Sequence, residues 1–249
     1  MAAPAEMSFW DHLDVLRGTL FRSAVVVFAL SVIFLCAKTW LFGVVLWPSR
    51  PDFFLYRLIG ADFGMRLVNI DVSAQFFVHL KLSVLCGAVA GFPYILYEVW
   101  KFIAPALYAG EKRAVRGAFG LSSVLFYLGI VVGYCVVLPV CLMFFMNYSV
   151  SESIENTISL NSYVSMFISM VFLIGVVFEF PTVAVVLSRL GILTRQMLKT
   201  SRRHAFVAVL LLSALITPSD PVSMVVLAVP LYALYEFSIL VCKDKTETE

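Results

Sequence analysis

The sequence predicts an all-α, polytopic membrane protein with six transmembrane helices, both termini in the cytoplasm and the last two spans short. Two observations support this fold class. Of the 249 residues, 61% are hydrophobic and 14% are charged, with a mean hydropathy of +0.96, whereas soluble domains carry about 25% charged residues. The apolar residues also fall into long runs, and roughly 20 such residues cross a bilayer as a helix.

The order of the elements follows from where each apolar run is stopped by proline, glycine or charge. The spans are predicted at 23–45, 76–92, 118–146, 163–187, 205–217 and 222–241. Between them we expect an amphipathic cytoplasmic segment (1–21), extracytoplasmic cap loops (46–75 and 147–162), cytoplasmic loops (93–117 and 189–204) and a cytoplasmic tail (242–249). Residues 93–108 are rich in aromatic side chains and are predicted to lie at the interface. Together these segments form a single membrane domain, 1–249.

The orientation follows from the distribution of positive charge, because cytoplasmic loops carry an excess of Lys and Arg. The side holding both termini collects Arg17, Arg22, Lys101, Lys112, Arg113, Arg116, Arg189, Arg195, Lys199, Arg202, Arg203, Lys243 and Lys245. The other side keeps Lys38, Arg50, Arg57, Arg66 and Lys81. Both termini are therefore predicted to be cytoplasmic.

An acid within the fourth span is the strongest candidate for a functional group. Glu179 lies roughly 24 Å beyond the start of the span at helical rise, and an ionised side chain at such depth costs at least about 2.5–3.5 kcal/mol unless it faces protein or water. Pro181 cannot donate to the carbonyl of Val177, so a bend is expected beside the acid. A structural ion pair with a neighbouring helix is the alternative to a site. Glu236, roughly 21 Å into the sixth span, is predicted to line the same water-reachable concavity.

Other classes of function lack the residues that they need. The five cysteines contain no Cys-x-x-Cys pair, and no zinc, nucleotide or hydrolase motif occurs. We therefore expect no metal, no cofactor, no enzymatic activity and no nucleic-acid partner. The remaining alternative is a proton-coupled transporter of small solutes that uses Glu179 and Lys81.

Four segments resemble the signature stretches of the TatC family, the receptor subunits of the twin-arginine, or Sec-independent, protein translocase. They are 12–17 (HLDVLR), 100–108 (WKFIAPALY) followed by Glu111-Lys112-Arg113, 178–181 (FEFP) and 217–220 (TPSD). They occur in the family's order and spacing. Two positions depart from the family pattern: Val15 replaces a Glu before Leu-Arg, and Met224 stands near the start of the sixth span where a Gln is usual.

The resemblance implies a receptor in the bacterial cytoplasmic (inner) membrane. It would bind the twin-arginine signal peptides of folded cargo, recruit TatA- and TatB-type single-span subunits, use the proton-motive force and self-associate. The implied signal-binding residues are Glu111, Phe102, Arg17 and Leu16. Glu179 would lie in the concave membrane face, Pro48 in the external cap and Asp220 in the turn before the sixth span; a plain turn role for Asp220 is the alternative.

The expected ligand also has a chemical requirement. Guanidinium groups pair best with carboxylates, whose two oxygens match the guanidinium fork. Glu111 and Asp14 are the acids available on the predicted cytoplasmic face, with Glu98 as a third candidate. Without the resemblance, Glu111 is explained as an acid that favours the positive end of a helix.

Overall fold

The computed structural model describes residues 9–61, 63–103, 109–149, 151, 156–217 and 221–242. Within these residues the chain is almost entirely helical. The helices are α1 (Phe9–Cys36), α2 (Lys38–Val45), α3 (Phe54–Ile59), α4 (Ala74–Ile103), α5 (Ala109–Val132), α6 (Leu138–Asn147), α7 (Leu160–Phe167), α8 (Leu173–Val177), α9 (Phe180–Arg189), α10 (Arg195–Thr200), α11 (Arg202–Ile216) and α12 (Pro221–Val241). The two strands are β1 (Leu67–Val68) and β2 (Ile158–Ser159).

Five helical stretches are long and apolar enough to cross a membrane, which confirms a multi-pass, helical membrane protein. They are Leu13–Cys36, Ala74–Ile103, Phe119–Asn147, Leu160–Arg189 and Pro221–Val241. The remaining predicted span corresponds to α11, whose 15 residues extend only about 22 Å. The count of six spans therefore stays a prediction. As expected, the last two predicted spans, α11 and α12, are shorter, at 15 and 21 residues, than the other four membrane-crossing stretches.

The first span begins earlier than the sequence suggested. The amphipathic segment is predicted to be an interfacial helix that leads into the span, and its described part continues without a break into that span as one 28-residue helix, α1. The helix is interrupted instead at Ala37, whose backbone leaves the helical region (φ −92°, ψ 39°). Leu13–Cys36 alone would extend about 36 Å, enough to cross the bilayer before this interruption.

The second span also runs on where a stop was expected. The span is predicted to end at Phe92, before an interfacial element that starts at Pro93, yet α4 continues through Pro93 to Ile103. Proline cannot donate to the carbonyl four residues earlier, which is that of Val89. The hydroxyl of Tyr127, on α5, donates to this carbonyl at 3.0 Å. A side chain from a neighbouring helix thus replaces the missing backbone donor and allows the helix to continue.

Irregular turns interrupt the third and fourth stretches. A π-helical turn, Gly133–Val137, lies just before Pro139, and a second, Ile168–Phe172, lies between α7 and α8. The fourth stretch then breaks at Phe178 and Glu179 before α9 begins. The helix is therefore interrupted beside Pro181, where a bend is predicted, and the acid lies at the interruption itself.

The two predicted cap loops meet on the side opposite the described start of α1. β1 pairs in parallel with β2, with Leu67 opposite Ile158. Pro48, in the short helical turn Trp47–Ser49, is buried, and its carbonyl accepts a hydrogen bond from the hydroxyl of Tyr56 at 2.7 Å. Tyr56 is itself fully buried, and this burial raises the pKa of its phenol above the usual range.

α1 and α4 pack antiparallel, and close contacts fix their register. A Cβ placed on Gly87 would lie 2.7 Å from the backbone nitrogen of Ser31 and 2.9 Å from the carbonyl oxygen of Val27. Only glycine permits this approach. Farther along, Arg22 of α1 contacts Glu98 of α4. The two helices therefore bring their Phe9 and Ile103 ends together.

Candidate functional site

Glu179 is half-buried, and its carboxylate contacts a neighbouring helix. Its Oε2 accepts a hydrogen bond from the hydroxyl of Ser122 on α5, a residue with no exposed surface. Its Oε1 is buried and unpaired within the part of the chain that the structure describes. Thr182, one turn further on, is also buried, at 7% exposure. The break in the helix thus supports a small polar recess between α5 and the fourth stretch.

Glycines allow α5 to approach this recess closely. A Cβ on Gly129 would lie 2.7 Å from Cγ of Phe178 and 2.9 Å from Cα of Gly175. A Cβ on Gly133 would lie 2.8 Å from the carbonyl oxygen of Met170. These distances are shorter than side chains tolerate, so the small residues set the separation of the two stretches and hence the reach of Ser122 to the acid.

Glu236 has different partners. Its Oε2 accepts from Nη2 of Arg202, the first residue of α11, at 2.7 Å, and its Oε1 accepts from the hydroxyl of Tyr232 at 3.3 Å. Glu179 instead accepts a hydrogen bond from Ser122 on α5. The concavity shared by the two acids therefore stays a prediction, and Glu236 is described by the structure as half of an ion pair.

The residues assigned to signal binding lie on α1, α4 and α5. On α1, Asp14 and Arg17 are exposed and Leu16 is half-buried; on α4, Phe102 is half-buried. The register in which Arg22 contacts Glu98 brings residue 17 level with residue 102. We refer to this end of α1 and α4 as the inner end, because the predicted orientation places it in the cytoplasm.

Two residues to which the resemblance assigns a role, Glu111 and Asp220, lie partly or wholly outside the described structure. Glu111 lies in the first turns of α5, but its side chain falls outside the described part of the structure. Asp220 lies outside the described residues altogether. Pro48 lies in the short helical turn Trp47–Ser49 and is buried, and its place in an external cap stays a prediction.

Sequence reasoning named Glu98 as a third candidate acid but missed the polar cluster that surrounds it at the inner end. Nε and Nη2 of Arg22 donate to Oε2 of Glu98 at 2.9 and 2.7 Å, and the hydroxyl of Tyr94 donates to Oε1 at 3.2 Å. Glu98 is only 3% exposed. A signal was present in the spacing, since Tyr94 and Glu98 stand one helical turn apart. Ser122 was also missed, because a lone serine in an apolar helix carries no distinguishing pattern.

Comparison with known proteins gives a consistent result. A family model described as "Sec-independent protein translocase protein (TatC)" matches residues 11–230. The protein of that name from Blattabacterium sp. is 32% identical over 252 residues, covering 95% of each chain. The one from Escherichia coli (strain K12) is 33% identical over 234 residues, covering 92% of this chain and 85% of the relative.

Solved structures agree with the sequence relatives. A crystal structure of the twin-arginine translocase receptor TatC superposes with a TM-score of 0.76 at 30% identity, covering 92% of this chain and 97% of the other. The same receptor in DDM superposes with a TM-score of 0.79 at 30% identity, covering 93% and 99%. The likeness therefore extends over nearly the whole length of both chains.

Proposed function

The chain belongs to the TatC family of Sec-independent protein translocases, a non-enzymatic component of transport machinery, and we propose that it is the subunit that receives cargo. In this proposal it binds the twin-arginine signal peptides of folded proteins at the cytoplasmic face of the bacterial inner membrane. TatA- and TatB-type single-span subunits then join it, and the proton-motive force drives export. The chain also associates with further copies of itself.

The observation that carries this proposal is the convergence of α1 and α4 at the inner end. Their antiparallel packing supports a shared surface formed by Asp14, Leu16 and Arg17 on one helix and Phe102 on the other. α5 starts at Ala109, so Glu111 enters from the same side. Carboxylates beside an apolar surface suit a peptide that carries two arginines and a hydrophobic stretch.

Glu179 has a separate role in the proposal. A carboxylate beside a helix break favours water or a partner's polar group over lipid, and Ser122 and Thr182 already make the recess polar. We propose that this recess is the polar contact for a partner subunit within the membrane. Asp220 is proposed to shape the turn that leads into α12, and Glu236 to add a second polar contact.

The transporter alternative has less support. Lys81 is exposed and lines a surface cavity with the outer-loop residues Asp71 and Ser73 and with Asn161, whereas Glu179 is paired with Ser122 of α5. The two groups therefore have separate surroundings. Solute uptake by liposomes containing this chain alone would favour the transporter, and we expect none.

The test is export in a bacterial strain that lacks its own receptor of this family but keeps the partner subunits. A folded fluorescent protein with a twin-arginine signal should reach the periplasm when this chain is supplied. Replacing both arginines of the signal by lysine, or Glu111 of the chain by alanine, should abolish export. Asp71→Ala, an exposed acid on the outer loop, is the matched control and should export normally. Equal export with Glu111→Ala and Asp71→Ala would contradict the assignment of the site.

A further inference from the structure

Glu98 is a buried acid near the inner end of α4, and both of its carboxylate oxygens already have partners. Two N–H groups of the Arg22 guanidinium converge on Oε2 at 2.9 and 2.7 Å. The hydroxyl of Tyr94 fixes Oε1 at 3.2 Å. A buried carboxylate held in one orientation, with a guanidinium on its open side, is a formed binding site for one arginine side chain.

The two members of the pair differ in how firmly they are held. The side chain of Glu98 is 4% exposed, whereas that of Arg22 is 44% exposed. The acid is therefore part of the packed interface between α1 and α4, and the guanidinium lies at the edge of that interface, partly exposed on the protein surface. Of the two, only the cation can leave without unpacking the helices.

The position of the pair connects it with the surface proposed above. Phe102 follows Glu98 by four residues, so both lie on one face of α4, one turn apart. Arg17 precedes Arg22 by five residues on α1. Glu98 thus lies about one turn deeper than the residues that the family resemblance assigns to the signal peptide.

We propose that Glu98 is a subsite for one arginine of the twin-arginine signal, and that Arg22 occupies it until the peptide arrives. This inference rests on the proposed function and adds to it a residue and a resident competitor. The incoming group is chemically the same as the one that it displaces, so Glu98 remains paired throughout. A lysine of the peptide would offer a single point charge in place of two converging N–H groups and would compete poorly with Arg22.

While Arg22 occupies Glu98, the peptide cannot bind there. The apparent dissociation constant for the peptide is therefore the intrinsic one divided by the fraction of time that the site is free. Removing the guanidinium of Arg22 should therefore tighten binding of the peptide, by about threefold to tenfold for a pair of this exposure. Removing the charge of Glu98 should weaken binding, by roughly tenfold, since charge-assisted hydrogen bonds to the peptide are lost.

The chain contains a matched control. Arg202 donates from Nη2 to Glu236 at 2.7 Å, and Tyr232 contacts the other oxygen at 3.3 Å, which repeats the composition of the Arg22 cluster at α11 and α12. Removing the guanidinium of Arg202 breaks an ion pair of the same composition, in which the acid is more exposed (35% against 4%), and it changes the net charge of the chain by the same amount. It should leave the affinity for the signal peptide unchanged.

The experiment uses the full chain in lipid nanodiscs and a fluorescent twin-arginine signal peptide, with dissociation constants measured by anisotropy. Arg22→Gln should bind more tightly than the unmodified chain, Arg202→Gln equally, and Glu98→Gln more weakly. The double variant Arg22→Gln, Glu98→Gln should bind as weakly as Glu98→Gln alone. Thermal melting of each variant establishes that it is folded.

A conservative variant separates displacement from a structural role. Arg22→Lys keeps a positive charge on Glu98 but holds it less well, so displacement predicts a peptide affinity between those of the unmodified chain and Arg22→Gln. A purely structural pair predicts that Arg22→Lys binds as the unmodified chain does and that Arg22→Gln binds no more tightly, and this result would overturn the inference. If the unmodified chain fails to distinguish the twin-arginine peptide from its twin-lysine form, the proposed function itself fails.

Discussion

The hydroxyl of Ser122 donates a hydrogen bond to the carboxylate of Glu179, joining α5 to the break between α8 and α9. This contact explains how an acid is tolerated inside a membrane-spanning stretch. It also links the helix break to the third predicted span, so the recess depends on two separate parts of the chain.

Removing the Ser122 hydroxyl should destabilise the protein. Ser122→Ala removes the partner of Oε2 of Glu179 in a partly buried hydrogen bond, which costs about 1–3 kcal/mol. The control is Ser83→Ala: Ser83 is similarly buried, but its hydroxyl donates to the carbonyl of His79 in its own helix. Thermal melting in detergent should show a clear loss for Ser122→Ala and a smaller one for Ser83→Ala; equal losses would contradict this account of the recess.

The polarity of Glu179 should matter for export more than its charge. Glu179→Gln keeps a group that can accept from Ser122, whereas Glu179→Leu leaves that hydroxyl unpaired. We expect Glu179→Gln to retain more export of a folded cargo than Glu179→Leu. If the two variants export equally, a polar recess is not needed.

Close packing at Gly129 should tolerate no side chain. Gly129→Ala places a methyl group 2.7 Å from Cγ of Phe178 and 2.9 Å from Cα of Gly175, and such overpacking costs typically about 1–3 kcal/mol. Gly120→Ala, on the same helix with nothing within 4 Å, should be neutral or slightly stabilising because alanine favours helices. Melting temperatures of the two variants test this difference; a neutral Gly129→Ala would mean that the stretches are less tightly packed than described.

A double-mutant cycle can test why α4 continues through Pro93. Tyr127→Phe removes the donor that serves the Val89 carbonyl and should cost about 1 kcal/mol. In a Pro93→Ala background the residue 93 backbone N–H can donate to that carbonyl, so Tyr127→Phe should then cost little. An unchanged cost in the two backgrounds would show that the tyrosine acts by another route.

The cap should show a pH dependence that comes from Tyr56. Its hydroxyl donates to the carbonyl of Pro48 at 2.7 Å, and burial raises the phenol pKa in the folded state. The neutral form therefore stabilises the fold fully below the unfolded pKa of about 10, and this stabilisation is lost as pH rises through the folded value. Tyr56→Phe should lower the unfolding free energy by about 1 kcal/mol at pH 7, and the difference from the unmodified chain should shrink above about pH 10.

The features predicted well from the sequence are those that depend on local chemistry. The apolar runs located the long helices, and Pro181 located the break beside Glu179, because proline acts on the turn that contains it. Errors arose where a distant residue intervenes. Pro93 ends no helix since Tyr127 supplies the missing donor, and no local pattern shows that contact.

The polar cluster at the inner end was missed for the same reason. Arg22 and Glu98 are 76 residues apart, and each could be explained alone, one as a cytoplasmic positive charge and the other as an interfacial acid. Only the antiparallel register of α1 and α4, fixed by Gly87, brings them together. The separate partners of Glu179 and Glu236 likewise depend on packing between helices that sequence periodicity does not specify.

The most direct test of the receptor role is photocrosslinking of a twin-arginine signal peptide to membranes that contain the full chain. We predict a strong crosslink to the unmodified chain, loss of the crosslink when the paired arginines become lysines, and a large reduction with Glu111→Ala but not with the outer-loop control Asp71→Ala. A crosslink that is undiminished in Glu111→Ala and indifferent to the arginines would contradict recognition of the signal at the inner end.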